Sequence, residues 1–521
     1  MNINEMWCVL MSRYNASHSI FVGVLCVTFC AVLWACGSQT DELPLPDGEG
    51  RPQESLPDGE AAAPDWLWQD EPLVWQGWGE TTRKRALRED RPLLFYVAAP
   101  GCEGIFAKSS PLLREMVEER YVGVRVDPFA RPDMVRYLRA VGCPALVMAL
   151  PDGRVFSRAI DIPSRYTALF LQRLWDTFKT ERTTIVEKVE EQKKSVSYPV
   201  DLSEIYRKLL HDFAEPAGGF YGQQGLAHVR SLRFIWHFAG MQGDERGLSI
   251  VHRALEKLLD SPLRDAAAGG YYLYSYTPDG LHPAAEKDAL DQAELAHWFL
   301  DMGEQVPARN VVDYVHRELY NEETGALHGR QVRLPDGAWW TDPVSYADRS
   351  ASLLRMLVRV AREQNDNTAG HMAVAAGAFI GSTCIDERGA VWHECGARGV
   401  QGLLVDQALV ALALEDLAVW SGDRNYSLLA HRVIAFAEEQ LYSEERDAFA
   451  DAIDWPGAQQ FSFDDDGQSS GNALMTEWYG MQGDRGRARR LLAAARLIGT
   501  ELGVAATWAR LAATYQEVGA Q

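Results

Sequence analysis

The sequence predicts two folded units in series, an α/β domain followed by an all-α toroid of helix pairs, and three observations carry that prediction. From Trp66 to about Lys179 the apolar residues switch between the strand period and the helix period, and beyond residue 200 the helical period runs almost to the end. Along the helical region a single turn recurs five times at intervals of about 50–65 residues, the mark of a repeat architecture. A shorter motif, "GMQGD", falls at 240, between copies of that turn, and again at 480, after the last of them.

With 521 residues, 47% of them hydrophobic, the chain is long enough for two or more domains with sizeable cores. Its formal net charge of -22 opposes a phosphate backbone, which is bound through clustered Lys and Arg, so nucleic acid is excluded as a partner.

Residues 1–36 read as a lipoprotein-type signal segment. The run "IFVGVLCVTFCAVLWA" at 20–35 is apolar and uncharged, long for a signal core and short for a bilayer span. "LWACGS" then has the shape of a lipobox, with Leu33, Ala35 and a lipidated Cys36; an uncleaved single-pass anchor is the other reading. The working start is expected at Met11, which brings Arg13 close to the amino terminus. Both readings attach the protein to a membrane at the bacterial envelope, with the body on the periplasmic or extracellular side. Residues 37–65 are acidic, rich in Pro and Gly, and read as a flexible tether.

Eight cysteines are present, of which Cys8, Cys26 and Cys30 fall in the leader. Besides Cys36 this leaves Cys102, Cys143, Cys384 and Cys395, enough for two disulfides in an oxidising compartment. Cys384 and Cys395 enclose "CIDERGAVWHEC" and are either bridged or two free thiols.

The α/β domain is bounded at 66–180. "RPLLFYVAA" is a strand, "SPLLREMVEERY" an amphipathic helix and "VGVRVD" a second strand. "RPDMVRYLRAV" is a second helix, "CPALVMALPDGRVFSRAI" a hairpin about Pro151-Asp152-Gly153, and "SRYTALFLQRLWDTFK" a closing helix. This is the thioredoxin order, and Pro144 stands where that fold keeps a cis-proline. "ERTTIVEKVEEQKKS" within 181–200 is a charged helical connector.

"WQGWGE", "REDRPLLFYV", "VRVDPFARPD" and "CPALVMALPDGRVF" together resemble the thioredoxin-like domain of the spermatogenesis-associated protein 20-like family. The shared positions include Trp78, Glu80, Asp127, Arg131, Pro132, Asp133, Pro144, Pro151, Asp152 and Gly153. Where that family shows Cys-His-Trp-Cys-His at its elbow, this chain has Ala99-Pro100-Gly101-Cys102-Glu103. A dithiol cycle needs an attacking and a resolving sulfur, so this elbow alone cannot turn over. Three readings of Cys102 follow: inert, singly reactive at a helix start, or bridged to Cys143 beside the proline.

Residues 201–521 form the predicted (α/α)6 toroid. The recurring turns are "EPAGGFYGQ" at 215, "DAAAGGYYLYS" at 265, "NEETGALHGR" at 321, "DERGAVWHE" at 386 and "EERDAFADA" at 444. The region resembles the same family's second domain, of the six-hairpin glycosidase class. "PAAEKDALDQAEL" keeps Pro283, Glu286, Lys287, Asp291, Gln292 and Ala293 of a family segment but has Ala284 for its histidine, and "SSGNALM" matches another.

A glycosidase places two carboxyl groups about 5–9 Å apart beside a sugar cleft, and Glu286 with Asp291 is the candidate catalytic pair. Asp291, Asp348 and Asp406 recur at comparable helix starts, where capping also explains them. Tyr272, Trp339, Trp340 and Trp392 are candidates for stacking on sugar rings. The Asp464–Asp466 run lacks a calcium loop's alternation and reads as a solvated loop, and His282, His328 and His393 lack metal-ligand spacing.

The expected function is binding or processing of a carbohydrate-like ligand in the toroid's funnel, glycosidase- or epimerase-like if catalytic, with no cofactor and no metal. Thiol–disulfide chemistry at Cys102 with Cys143, and a non-catalytic scaffold for an envelope protein partner, are the alternatives.

Overall fold

The computed structural model describes residues 75–520, apart from 100–110, 141–143, 161, 163, 193–200, 214–228, 276, 278–280, 335–336, 397–398, 455, 457–459, 466–468 and 499–504. The leader, the tether, Cys36, Cys102, Cys143, Asp466 and the turn at 215 lie outside the described residues.

Four strands, β1 (Leu93–Val97), β2 (Val122–Val126), β3 (Ala145–Ala149) and β4 (Val155–Ile160), form a sheet of order β2-β1-β3-β4. β1 and β2 are parallel, while β3 is antiparallel to β1 and to β4. The central strands "LLFYV" and "ALVMA" are buried at every position, as apolar runs covered on both faces must be. One face packs on α2 (Pro111–Arg120) and α4 (Ser164–Thr180), through Leu94, Tyr96 and Leu146 against Val117 and Leu171. The other packs on α1 (Glu80–Glu89) and α3 (Pro132–Leu138), through Phe95 and Val147 against Met134 and Leu138. Pro144 is buried immediately before β3. The connector is helical as α5 (Arg182–Gln192), and its Ile185 and Val189 are buried against Leu150 and Phe178, so one face belongs to the α/β core.

Beyond residue 200, among the described residues, twelve helices alternate between an outer and an inner position. The inner set is α7 (Val229–Gln242), α9 (Ala289–Asp301), α11 (Ala347–Gln364), α13 (Leu404–Ser421), α15 (Gly471–Met481) and α17 (Ala506–Ala520). Each touches the next, and α17 returns to α7, closing a ring of six. The outer set is α6 (Leu202–Asp212), α8 (Glu245–Asp260), α10 (Gln305–Tyr314), α12 (Asn367–Thr383), α14 (Arg424–Gln440) and α16 (Arg485–Ile498). Each outer helix from α8 to α16 packs on the inner helix before it, and α6 packs on α7 and α17.

The shorter sequence echo marks the inner-to-outer turns. Gly243, Asn365, Gly422 and Gly483 all have positive φ, which ends the inner helix, and the aspartate that follows caps the outer one. Asp244 accepts from Arg246 N, Asp366 from Ala369 N, Asp423 from Asn425 N and Asp484 from Arg487 N.

The longer echo marks the opposite end, where long connections lead into the inner helices. There a polar side chain in the first turn of an inner helix grips the backbone of the preceding connection. Gln292 bonds both Tyr271 N and Tyr271 O, and Asn472 bonds both Phe449 N and Phe449 O. Gln407 receives Val391 N and donates to Gly389 O, and Ser350 donates to Leu327 O. The recurring turns are therefore the segments being gripped.

The sequence pattern predicts an all-helical region here, and the structure departs from it at the mouth. The connections into α9 and α11 are long enough to pair as strands β5 (Glu286–Asp288), β6 (Arg330–Arg333) and β7 (Trp339–Thr341), and a π-turn (Val315–Leu319) extends α10. A disulfide joins Cys384 to Cys395 across the turn between α12 and α13.

Replacing Gln292 with Leu leaves a buried N–H and C=O of Tyr271 unpaired and is expected to lower unfolding free energy by about 3 kcal/mol in urea titrations. The double change Cys384→Ala with Cys395→Ala frees a loop of sequence separation 11. Its expected cost, read by the same titration, is about 3 kcal/mol in the chain-entropy account.

Candidate functional site

Closing six helices into a ring leaves an axial cavity of about 230 Å³, lined by side chains from all six. Arg230 and Arg233 come from α7, Glu294 and His297 from α9, Asp416 from α13, Glu477 from α15 and Arg510 from α17. Helix α11 contributes Ser352, Arg355, Arg359 and Arg362, residues three or four apart that share one helix face.

Most of this charge is paired across helices. Arg355 donates to Asp416 and Glu477, each at 2.7 Å, Arg230 to Glu294 at 2.7 Å, and Arg233 to Asp301 at 2.7 Å. Arg359 pairs with Asp301 at 2.8 Å and with Glu363 at 2.9 Å. Burial alone raises the Glu477 carboxyl, but Arg355 and Arg510 outweigh it and hold it down at about 2. His297 is driven the other way: burial, then Arg233, Arg359, Arg355 and Arg510, keep its imidazole well below the usual histidine range and neutral.

At the mouth, where the inner helices start, lies a second charged layer, buried except for the half-buried Glu286. Arg330 bridges Glu286 at 3.0 Å and Asp342 at 3.2 Å, and Arg349 bridges Asp288 at 2.9 Å and Asp348 at 2.8 Å. Phe129 of the α/β unit is inserted against this layer. The Arg330 guanidinium lies 3.9 Å and that of Arg349 4.8 Å from the centre of its ring. Tyr346 packs beside it, and the Phe129 carbonyl accepts from His393 Nε2 at 2.7 Å. Ala99 joins this cluster at 2% exposure. The position where the resembled domain carries its first cysteine is thus closed by the toroid.

His393 Nδ1 meets Asp406 at 2.9 Å, and Asp348, His393 and Asp406 each offer an atom within 4.8 Å of the others. Sequence spacing does not bring this group together; the fold does. His393 is engaged at both ring nitrogens: a carbonyl can only accept, so Nε2 carries a proton toward Phe129, while Nδ1 meets Asp406. Burial opposes charge on His393, but Asp406, Asp348 and the Phe129 carbonyl overcome it and raise its pKa to about 9.

The chain is similar to spermatogenesis-associated protein 20. The match to that protein of Rattus norvegicus is 21% identical over 309 residues, 51% of this chain and 39% of the relative's length. The chain thus spans well under half of this curated relative, and no family model matches it. Among solved structures, a cellobiose 2-epimerase from Bacillus thermoamylovorans B4167 superposes with a TM-score of 0.45 at 12% identity, covering 60% of this chain and 98% of that one. A GH76 α-mannanase of Bacteroides thetaiotaomicron does so with 0.47 at 12% identity, covering 62% and 98%. The closure of the ring is established by the helix contacts themselves.

The sequence candidates are distributed unevenly about this geometry. Glu286 sits on β5, tied to Arg330 in the mouth layer, and does not line the cavity. Asp291 is one helical turn from Glu294 but also stands behind the wall; its Oδ2 is buried without a hydrogen-bond partner among the described residues. Burial, with Asp288 and Glu294 close by, raises its pKa well above the carboxylate range. The capping account of Asp291, Asp348 and Asp406 holds in part: Asp288 is the residue that caps α9, Asp348 accepts the first-turn N–H of Arg349 at 2.7 Å and also pairs with its guanidinium, and Asp406 is engaged by His393.

Tyr272 and Trp339 do not face the axis. With Tyr314 they enclose the Lys287 ammonium, fully buried and paired with Asp265 at 2.8 Å. Trp340 pairs with Val332 in the rim sheet and Trp392 bridges to Gln401, and no aromatic side chain besides His297 lines the cavity among the described residues. Asp465 is half-buried and hydrogen-bonded, receiving Thr507 N at 2.7 Å and Ser470 N at 3.1 Å, which ties the starts of α15 and α17.

Phe129, Arg330, Arg349 and the arginines of α11 escape the sequence reading. The one available signal was "RMLVRVAR", arginines four and three apart in an otherwise apolar helix.

Because His393 has a raised pKa in the folded chain, its contribution is complete below its ordinary value of 6.5 and is lost as pH rises through about 9. Melting temperature is expected to fall over that window, and the fall should be absent in His393→Gln, as followed by circular dichroism at successive pH values.

Proposed function

We propose that the toroid binds a carbohydrate-like ligand in its axial cavity, and that the α/β unit is a redox-silent thioredoxin-like domain that caps the mouth. A βαβ unit continued by an antiparallel hairpin supports the thioredoxin-like reading. The observation that carries the ligand reading is the cavity itself: donors and acceptors from six helices, Ser352 and Thr507 among them, with Ser469 just before α15, converge on a space suited to one small polyol.

Binding is favoured over hydrolysis by the same lining. A glycosidase needs one protonated and one ionised carboxyl flanking the bond. Here Glu294, Asp348, Asp416 and Glu477 are all held by arginines. Glu286 and Asp291, whose carboxyls burial pushes upward, are outside the cavity. His297 is the neutral group that faces the axis and can exchange a proton.

A Cys36 lipid and an envelope location complete the proposal, resting on the leader sequence. No helix among the described residues is long and apolar enough to cross a membrane.

Calorimetric titration of the purified protein against neutral and acidic mono- and disaccharides is expected to show saturable binding without product release. Glu286→Gln should change affinity by less than about twofold, since Glu286 makes no contact with the cavity. A flat titration across the whole panel overturns the reading.

A further inference from the structure

We infer that the ligand of the axial cavity carries an anionic group, a carboxylate or a phosphate or sulfate ester, and that Arg510 seats it. This deepens the carbohydrate reading and rests on it for the rest of the ligand.

Among the described residues six arginines line the cavity, Arg230, Arg233, Arg355, Arg359, Arg362 and Arg510, in a chain whose net charge is -22. Five have an acidic partner. Arg230 has Glu294, Arg233 and Arg359 share Asp301, Arg355 has Asp416 and Glu477, and Arg362 reaches Glu363 at 3.6 Å. Arg510 makes no side-chain hydrogen bond and no ion pair with any described residue, although it points into the same space. A guanidinium offers five N–H donors in a planar fork, and leaving them unmet in a partly desolvated cavity is costly.

Its surroundings make the deficit specific to negative charge. Arg233 and Arg355 repel Arg510, and the two acids near it are already engaged, Glu477 by Arg355 and Asp301 by Arg233 and Arg359. Burial and the Arg233 charge accordingly push Arg510 below the ordinary arginine pKa, while Arg230 and Arg355 are pushed up by their partners. His297, neutral and beside the same arginines, adds a donor or acceptor but no competing charge. An oxyanion entering here would meet a fork suited to bidentate contact and would relieve the repulsion among three guanidinium groups. A neutral hydroxyl would satisfy a donor but leave the repulsion in place.

The test compares D-glucose, D-glucuronate and glucose 6-phosphate, with inorganic phosphate and sulfate as bare anions, by calorimetry on the full chain at low and high salt. Glucuronate or glucose 6-phosphate is expected to bind at least about tenfold tighter than glucose, with the preference shrinking as salt rises. Which of the two wins identifies the acid as carboxylate or phosphate. Arg510→Gln should abolish the preference and Arg510→Lys restore part of it. Equal binding of glucose and both acidic sugars to the unmutated protein overturns the anion inference and leaves the carbohydrate reading standing. Phosphate or sulfate binding as tightly as glucose 6-phosphate, with no sugar contribution, does the reverse. Should Arg510→Gln fail to fold, the salt series and the glucose comparison on the unmutated protein decide the matter alone.

Discussion

The ring of six helices closes on an axis where five of its six lining arginines are neutralised by acids, most of them on facing helices. In a low-dielectric interior an arginine without an acid is several kcal/mol worse than one with it, so each charge constrains the register of the helix opposite. Arg355, reaching Asp416 on α13 and Glu477 on α15, ties three inner helices through one guanidinium. Asp301 does the same for α7 and α11 through Arg233 and Arg359. The cavity and its electrostatics are thus products of the requirement that holds the ring together.

The two ends of the ring obey different local rules. Where an inner helix passes to an outer one, a left-handed residue and a capping aspartate suffice, and those turns are short. Where an outer helix returns to an inner one, the connection is long and must have its backbone satisfied, which Gln292, Gln407 and Asn472 accomplish from the first helical turn. A wide, loop-built mouth at one end and a tight end at the other follow from this asymmetry, and the mouth is where the α/β unit docks.

What could be read from the sequence divides along the same line. The helix pairs, the Gly-Asp turns and the central strands were legible because each depends on residues a few positions apart, as in "MQGDERG". The recurring turns were visible as repetition, but their meaning was not, since the gripping side chain lies 21 residues from Tyr271 and 23 from Phe449. Acidic residues at the starts of α11 and α13 invited a capping account: Asp348 does accept a first-turn N–H, from Arg349, but Asp406 is claimed by His393 from the preceding connection. Aromatic residues near the turns suggested sugar platforms, and Lys287 claimed Tyr272 and Trp339 instead. The cavity was hidden because its chemistry is spread over six helices, one or two arginines at a time.

Phe129 completes the toroid's rim with a side chain that the toroid does not encode. Two guanidinium groups, an imidazolium and a tyrosine ring are shaped to an aromatic residue some two hundred positions upstream, so the halves of the chain are not interchangeable modules. A homologous α/β domain grafted in its place would have to bring an aromatic tip of the same reach. A change at position 129 is therefore felt at 330, 349 and 393 together, however far apart they are spelled.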